Sequence, residues 1–378
     1  MTDLKQILPL WRELRAAGED YVLATVVEVE GSGYRKPGAR MLVAADGRRE
    51  GTISGGCLEG EVGRKAFWNT RNGPVLLRYS TSSEDGEIPF GMGCGGAVQL
   101  LLERRATSSA HLERLAASFA ERRPMAIATI LDSAKIDRRI FWDGDASEGA
   151  EKVAESGLHE FARTAFEEKR SFSDSAQMEG GEVVPLRAEY IAARPGLFIF
   201  GAGDDVLPVV VQAGELGWYT AVVDGRSHLA TRARFPNADD VVVLPASKIL
   251  DLPMKATDAA IVMTHSVEQD TRVLDYLLSK SCPLDQEMYI GVLGPRRRTR
   301  ELLASVAGNQ DVEPARLEAQ AEVWMERLHA PMGLDLGGDT PAEIALAVIA
   351  EIQKNRRRAT GRPLRQVRNP DRNRMSLS

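Results

Sequence analysis

The stretch Leu197–Arg226, LFIFGAGDDVLPVVVQAGELGWYTAVVDGR, decides how the C-terminal half of the chain folds. Its apolar run Leu197-Phe198-Ile199-Phe200 has strand length and stops at Gly201-Ala202-Gly203. A helical pattern follows, with Val206, Val209, Val210 and Ala213 on one face, and Gly214 and Gly217 loosen its end. Thr220-Ala221-Val222-Val223 reads as a second buried strand, closed by Asp224. Strand, glycine turn, helix, strand and acid make the layout of a dinucleotide-binding βαβ unit. Gly201 and Gly203 let backbone approach a pyrophosphate, and the helix start offers it free N–H groups. Asp224 stands about 20 residues on, within reach of a ribose hydroxyl. The turn departs from the usual pattern in one respect. Val206 holds the place of the third small residue, and Asp204 and Asp205 precede it. Two carboxylates complement the dipole of a bare helix start but repel a phosphate placed there. The stretch therefore specifies the fold more firmly than it specifies a nucleotide.

Strand and helix keep alternating beyond Arg226. Val241–Leu244, Ala259–Met263 and Met288–Leu293 are apolar runs without alternation, which suits a parallel sheet buried on both faces. Helices are expected over roughly 267–280, 296–307, 313–328 and 341–354. Thr340-Pro341-Ala342-Glu343 opens the last with a capping box and Pro at the first helical position. Residues 195–355 thus form a Rossmann-like domain, followed by a basic tail over 356–378, read as solvated. His265 stands where a strand ends, at the edge where open parallel sheets hold ligands. Asp270 is placed either to orient His265 or to cap the next helix. Gly294-Pro295-Arg296-Arg297-Arg298 opens a further helix, and Arg296 is a candidate anion ligand there.

The N-terminal half is patterned differently. Leu4, Ile7, Leu8, Trp11 and Leu14 repeat at helical spacing up to Gly18. Tyr21–Val29 reads as a buried strand, Arg40–Ala45 as another, and Asp46-Gly47 as a hairpin turn into a return strand reaching Ile53. Three glycine-rich loops interrupt this pattern: Gly31–Gly38, Ser54–Glu61 and Phe90–Gly96. Strands Pro74–Tyr79 and Ala97–Leu102 flank the third, and Ser171–Glu182 reads as an exposed loop before a strand over Val183–Ile191. Met125–Leu131, Arg139–Gly144 and Phe161–Phe166 resemble Val22–Val27, Arg40–Gly47 and Gly63–Trp68 at an offset of about a hundred residues. An α+β domain over 1–192 is expected, with repeat halves near 1–105 and 122–192. The second half lacks both cysteine-bearing loops. They are therefore dispensable for building such a unit, which favours a functional role for them.

Bulk properties exclude several classes. A length of 378 residues calls for more than one core. The net charge of -6 argues against general nucleic-acid binding, and no apolar run reaches the length of a membrane span. No signal peptide opens the chain, and Cys57, Cys94 and Cys282 form neither a disulfide framework nor a CxxC pair, so a reducing cytoplasm is the expected location.

Cys57 and Cys94 are the leading candidates for chemistry. Gly55-Gly56 precede Cys57 and Gly95-Gly96 follow Cys94, so backbone can approach a ligand at both. Cys57 also leads into a helix, whose N-terminus raises the thiolate fraction. The competing reading is two small buried residues in tight turns. Glu59 and Glu61 either complement the helix dipole or, in the case of Glu59, join Cys57 and Cys94 as candidate catalytic groups. Arg35, Lys36 and Arg40, near the first glycine loop, read as cations that hold a phosphate or, more simply, face solvent, and Cys282 reads as structural.

Taken together these stretches resemble the XdhC/CoxI family, accessory proteins of molybdenum hydroxylases such as xanthine dehydrogenase. The N-terminal resemblance lies in Gly31-Ser32, Pro37–Met41, Ser54–Gly60 and Phe90–Gly96. The C-terminal resemblance lies in Phe200–Gly203, Met263-Thr264-His265, Tyr289–Gly294, Ala330–Asp335 and Thr340–Ala345. It implies a cytoplasmic, dimeric chaperone that holds molybdenum cofactor, supports its sulfuration and passes it to an apo-hydroxylase. A sulfur donor such as a cysteine desulfurase would be a second partner, and Cys57 would meet the molybdenum. The chain departs from the family at Asp204 and Val267, where relatives commonly carry histidine. Two other readings stay open. One is an oxidoreductase using NAD(P) at Gly201, Gly203 and Asp224 with His265 as proton donor, against which the paired carboxylates count. The other is a nucleotide-sensing regulator without catalysis.

Overall fold

A computed structural model describes residues 2–31, 34–80, 88–89, 96–132, 135–136, 138–144, 156–177, 181–244, 252–279, 288–310 and 316–367. Cys94, Gly95 and Cys282 lie outside the described residues, as does the side chain of Cys57. The chain divides into two compact units, Met1–Arg194 and Pro195 onward.

In the first unit, α1 (Thr2–Ala17) buries Leu4, Ile7, Leu8, Trp11 and Leu14. The chain continues through β1 (Tyr21–Glu30), β2 (Arg40–Ala44), β3 (Arg49–Gly51), α2 (Cys57–Asn69), β4 (Val75–Ser80), β5 (Ile88–Pro89) and β6 (Ala97–Arg104). These strands form a six-stranded sheet in the order β3-β2-β1-β6-β4-β5, antiparallel except for the β4–β5 pair. Next come α3 (Arg105–Glu121), β7 (Met125–Ile130), β8 (Arg139–Trp142), α4 (Ser156–Glu167), β9 (Phe172–Gln177) and β10 (Val183–Ile191). Their strands make a four-stranded antiparallel sheet, β8-β7-β10-β9.

Partner for partner, β8-β7-β10-β9 has the order of β2-β1-β6-β4. In each sheet a helix lies in sequence between the second and third of these strands, α2 in one and α4 in the other. Residue pairs correspond too: Leu23 faces Glu103 as Ile127 faces Glu189, and Thr25 faces Arg40 as Thr129 faces Arg139. Leu58, Val62 and Ala66 of α2 pack on one face of the larger sheet, and Leu158, Ala162 and Ala165 of α4 on the smaller. The opposite faces share a core with α1 and α3, in which Tyr21, Leu23 and Leu42 meet Leu112, Met125 and Ile127.

Two elements differ from the sequence expectation. Residues 172–177 are an edge strand, where an exposed loop was expected. Only Ala176 of that strand is buried, so its side chains carry no apolar alternation, and backbone pairing to β10 alone makes it a strand. Helix α3 has no expected counterpart. Its buried face mixes Ser108, His111 and Ser118 with Leu112, Leu115 and Phe119, which dilutes the apolar period.

In the second unit, β11 (Gly196–Phe200), α5 (Val206–Glu215), β12 (Tyr219–Asp224), β13 (Asp240–Val243), β14 (Ala259–Val262), α6 (Val267–Leu278), β15 (Tyr289–Val292), α7 (Arg296–Asn309), α8 (Leu317–Arg327) and α9 (Pro341–Arg356) follow one another. All five strands are parallel, in the order β13-β12-β11-β14-β15. The order reverses between β11 and β14, so the ligand crevice of such a sheet opens there. Helices α5 and α9 cover one face around Ile199, Val222 and Ile261. Helices α6, α7 and α8 cover the other around Phe198, Ala260 and Ile290. The Thr340 capping box forms as expected, with Thr340 and Glu343 bonding each other's backbone N–H groups. Among the described residues no helix is long and apolar enough to cross a membrane.

Candidate functional site

Strand direction brings described ends of the three glycine loops to one side of the larger sheet. Strand β1 ends where β6 begins, with Glu30 opposite Ala97, and β4 ends there too, with Ser80 opposite Ala97. Strand β2 begins on the same side, with Arg40 opposite Thr25, and β3 ends beside it, with Gly51 opposite Met41. The segments after β1, before and after β2–β3, and before β6 therefore all leave one edge of the larger sheet. Gly31, Ser54, Gly55, Gly56 and Gly96 are among the described residues of those loops, and Cys57 starts α2 from that edge.

The loop before α2 is held from within. Glu59 is buried and accepts from the N–H groups of Ile53 (3.1 Å) and Ser54 (2.8 Å) and from the Ser54 hydroxyl (2.5 Å). Ser54 Oγ in turn accepts from the N–H groups of Gly56 (3.2 Å) and Leu58 (3.1 Å). Burial pushes the Glu59 carboxyl up, but the bonds from Ser54 and Ile53 outweigh it and hold the group below the usual carboxylate range. Glu59 is thus positioned to shape the Gly55-Gly56-Cys57 turn. Glu61 faces outward to Lys65 at 2.8 Å. Gly56 takes a left-handed φ of 112°, which only glycine adopts at no cost. The ring of Tyr34 lies against Gly55, where an added Cβ would stand 3.4 Å from it, and Tyr34 is 76% exposed. This open aromatic face was not among the sequence candidates, because one Tyr in a glycine loop carries no pattern.

Arg40 is not the solvent-facing cation expected. It is buried, and its guanidinium forms a two-pronged pair with Glu189 at 2.6 and 3.0 Å. It also donates to the Gly38 carbonyl at 2.7 Å, and a Cβ on Gly38 would stand 2.7 Å from Glu189 Oε1. Packing thus accounts for Gly38 and Arg40 without a ligand. Arg35 is paired with Asp3.

In the second unit the glycine turn forms at the crevice. Gly201 has φ 129°, and a Cβ there would run into the Met263 carbonyl, so only glycine lets β11 and β14 close up at this point. Asp224 is buried, with all four of its acceptor positions engaged. Oδ1 accepts from the Arg226 backbone and Nε at 2.9 Å, and Oδ2 from Ala202 N–H at 2.9 Å and Arg226 Nη2 at 2.7 Å. Burial raises the Asp224 carboxyl, and the bonds from Arg226 more than reverse that, leaving it below its ordinary range. A ribose hydroxyl would have to compete with Arg226 here.

The two carboxylates of the turn have separate partners. Asp204 is exposed and lies 2.6 Å from Arg234, which also donates to the Ala202 carbonyl at 2.7 Å. Asp205 Oδ2 lies 2.8 Å from His265 Nε2, while Asp205 Oδ1 is buried, unbonded among the described residues and folded over Gly203, where a Cβ would meet it. His265 has a left-handed φ of 60°, rare for a residue with a side chain. Asp270 does not orient it. Asp270 is fully buried and bonds Thr264 N–H, the Thr264 hydroxyl at 2.5 Å and Arg298 at 2.5 Å. Arg296 is exposed at the start of α7. A cavity of about 220 Å³ adjoins the crevice, reached by Asp224, Arg226, Leu244, Thr264, Gln269 and Val273. Among the described residues no group of three or more His, Cys, Asp or Glu is placed to hold a metal ion.

Comparison with known proteins bears on both units. A family model described as the XdhC Rossmann domain matches residues 197–352, and one described as the XdhC and CoxI family matches residues 14–80. A protein from Bacillus subtilis described as a probable xanthine dehydrogenase subunit is 29% identical over 345 residues, covering 90% of this chain and 94% of its own. A molybdenum cofactor insertion chaperone, PaoD, from Escherichia coli is 34% identical over 111 residues, covering 27% of this chain and 32% of its own. A crystal structure described as a xanthine dehydrogenase from Bacillus halodurans superposes with a TM-score of 0.64 at 26% identity, covering all of both chains.

Proposed function

Because the chain belongs to the XdhC/CoxI family, we propose that it is an accessory protein of a molybdenum hydroxylase such as xanthine dehydrogenase. In this reading it carries molybdenum cofactor to the apo-enzyme, and it works as a chaperone more than as a turnover enzyme. The observation that carries the proposal is the convergence of the glycine loops, with Cys57 at a helix start, on one edge of the larger sheet. The residues there fit the cargo. The flat Tyr34 ring, exposed over Gly55, offers a stacking face to a pterin. Gly31, Gly55, Gly56 and Gly96 let backbone close on it, and a thiolate at Cys57 is a soft ligand for molybdenum. Ser54 and Glu59 hold the turn in shape before cargo arrives. The finer parts of the reading are that Cys94 and Gly95 also serve in holding the cofactor, that a cysteine desulfurase supplies sulfur to the held cofactor, and that two copies of the chain pair in the cytoplasm.

The test is anaerobic purification with pterin and molybdenum quantified per folded molecule. Wild type and Cys282→Ser should retain both. Cys57→Ser should unfold at the wild-type temperature and lose most of the cargo, with Cys94→Ser matching it or falling between. Full retention in folded Cys57→Ser would remove the thiol from the site. Absence of pterin from wild type expressed beside cofactor synthesis would defeat the whole proposal.

A further inference from the structure

The crevice of the five-stranded sheet is open at one half and filled at the other. A dinucleotide bound to such a unit lays its pyrophosphate over the glycine turn and one ribose against the acid at the end of the second strand. Here Asp205 Oδ1 lies over Gly203, in the place the pyrophosphate would take, and His265 holds the same carboxylate from its other oxygen at 2.8 Å. The other half, beside Asp224, is the cavity of about 220 Å³. Its walls are apolar where Leu244 and Val273 contribute, and Gln269 and Arg272 line it from α6. Arg226 adds a donor. Its Nε and Nη2 are bound to Asp224, and among the described residues Nη1 has no hydrogen-bond partner. The volume falls below the ~300–1,000 Å³ of clefts that enclose larger ligands, so it suits one nucleotide unit and not two.

We propose that this cavity binds a single nucleoside monophosphate, and that Asp205 keeps a dinucleotide out of the crevice. The base lies between Leu244 and Val273, with its edge on the Gln269 amide. Ribose or phosphate oxygens accept from Arg226 Nη1. Asp224 orients that guanidinium instead of meeting the ribose itself. The inference stands on the second unit alone and is independent of whether the first unit carries a molybdenum cofactor.

Calorimetry on the full chain tests it, with AMP, GMP, CMP and NAD+ as probes. At least one monophosphate should bind, and NAD+ should bind about tenfold more weakly or not at all. Val273→Trp, checked for wild-type unfolding, fills the cavity and should abolish monophosphate binding. Should that variant misfold, Gln269→Ala should weaken the monophosphate about fivefold or more while folding normally. Asp205→Gly should strengthen NAD+ about tenfold and leave the monophosphate nearly unchanged. Three results would each overturn the proposal: no monophosphate bound by folded wild type, NAD+ bound as tightly as the monophosphate, or full binding by a cavity-filled variant.

Discussion

Arg40 and Glu189 form a buried ion pair at 2.6 Å that links the two antiparallel sheets, and Arg139 and Glu103 repeat it at 2.9 Å with the sheets exchanged. Each arginine is the first residue of its strand, β2 or β8, and each glutamate faces the equivalent position of β1 or β7. The two halves therefore clasp each other reciprocally, each giving one arginine and one glutamate. His111 of α3 sits against this cluster, 3.5 Å from Arg40. Burial, followed by the charges of Arg139 and Arg40, holds the imidazole well below its ordinary range, so it is neutral where it lies.

Breaking one clasp should be costly. Glu189→Gln leaves the Arg40 guanidinium buried without a counter-charge, and loss of one partner of a buried pair costs about 3–5 kcal/mol. Glu103→Gln should cost a similar amount, because Arg139 is equally buried. Replacing Arg40 and Glu189 together by Met and Leu should recover much of the loss. Chemical denaturation of wild type and these three variants measures this. A Glu189→Gln protein as stable as wild type would show that the clasp contributes nothing.

Glu59 should matter to the shape of the loop before it matters to any ligand. Glu59→Ala leaves the Ile53 and Ser54 N–H groups buried and unbonded, at about 1–3 kcal/mol for the group that is not resolvated. Proteolysis near Gly55 should speed up in proportion. The folded carboxyl is depressed, so its stabilisation is present above its unfolded value and disappears as pH falls through the folded one. Wild-type protease resistance in Glu59→Ala would assign the glutamate a role other than shaping the turn.

Glu351 gives the second unit an acid-sensitive lock. It accepts from Tyr289 Oη at 2.7 Å and from Gly333 N–H at 2.8 Å, and lies 3.1 Å from His329 Nδ1. Burial raises this carboxyl, but the bonds from His329, Tyr289 and Gly333 win and bring it down to about 2. A depressed carboxyl stabilises the fold fully above its unfolded value, near the free-peptide ~4.3, and loses that stabilisation as pH drops toward about 2. The stake is on the order of 2–3 kcal/mol at neutral pH. Glu351→Gln should lower stability at pH 7 and flatten its decline between about pH 4.5 and pH 2. Parallel pH–stability curves for the two proteins would refute the lock.

Much of the fold was legible in the residues. The Leu197–Arg226 stretch specifies the central βαβ unit because apolar runs, glycine and helical spacing are local signals, and β11, α5 and β12 form where they indicate. Thr340-Pro341-Ala342-Glu343 likewise marks the start of α9, since a capping box involves only neighbours in sequence. Gly55 and Gly56 mark the turn before α2 for the same reason. What tertiary structure alone decided is which groups meet. Asp224 reads as a ribose acid until Arg226 and Ala202 engage its oxygens. Arg40 reads as a surface cation until Glu189, 149 residues away, meets it in the core. Asp205 and His265, 60 residues apart, become neighbours because parallel pairing brings the ends of β11 and β14 together at the crevice. A side chain's conformational and turn preferences travel with its own residue. Its burial and its partner belong to the packed chain, so the same carboxylate can be a ligand, a cap or a clasp until the fold chooses its neighbours.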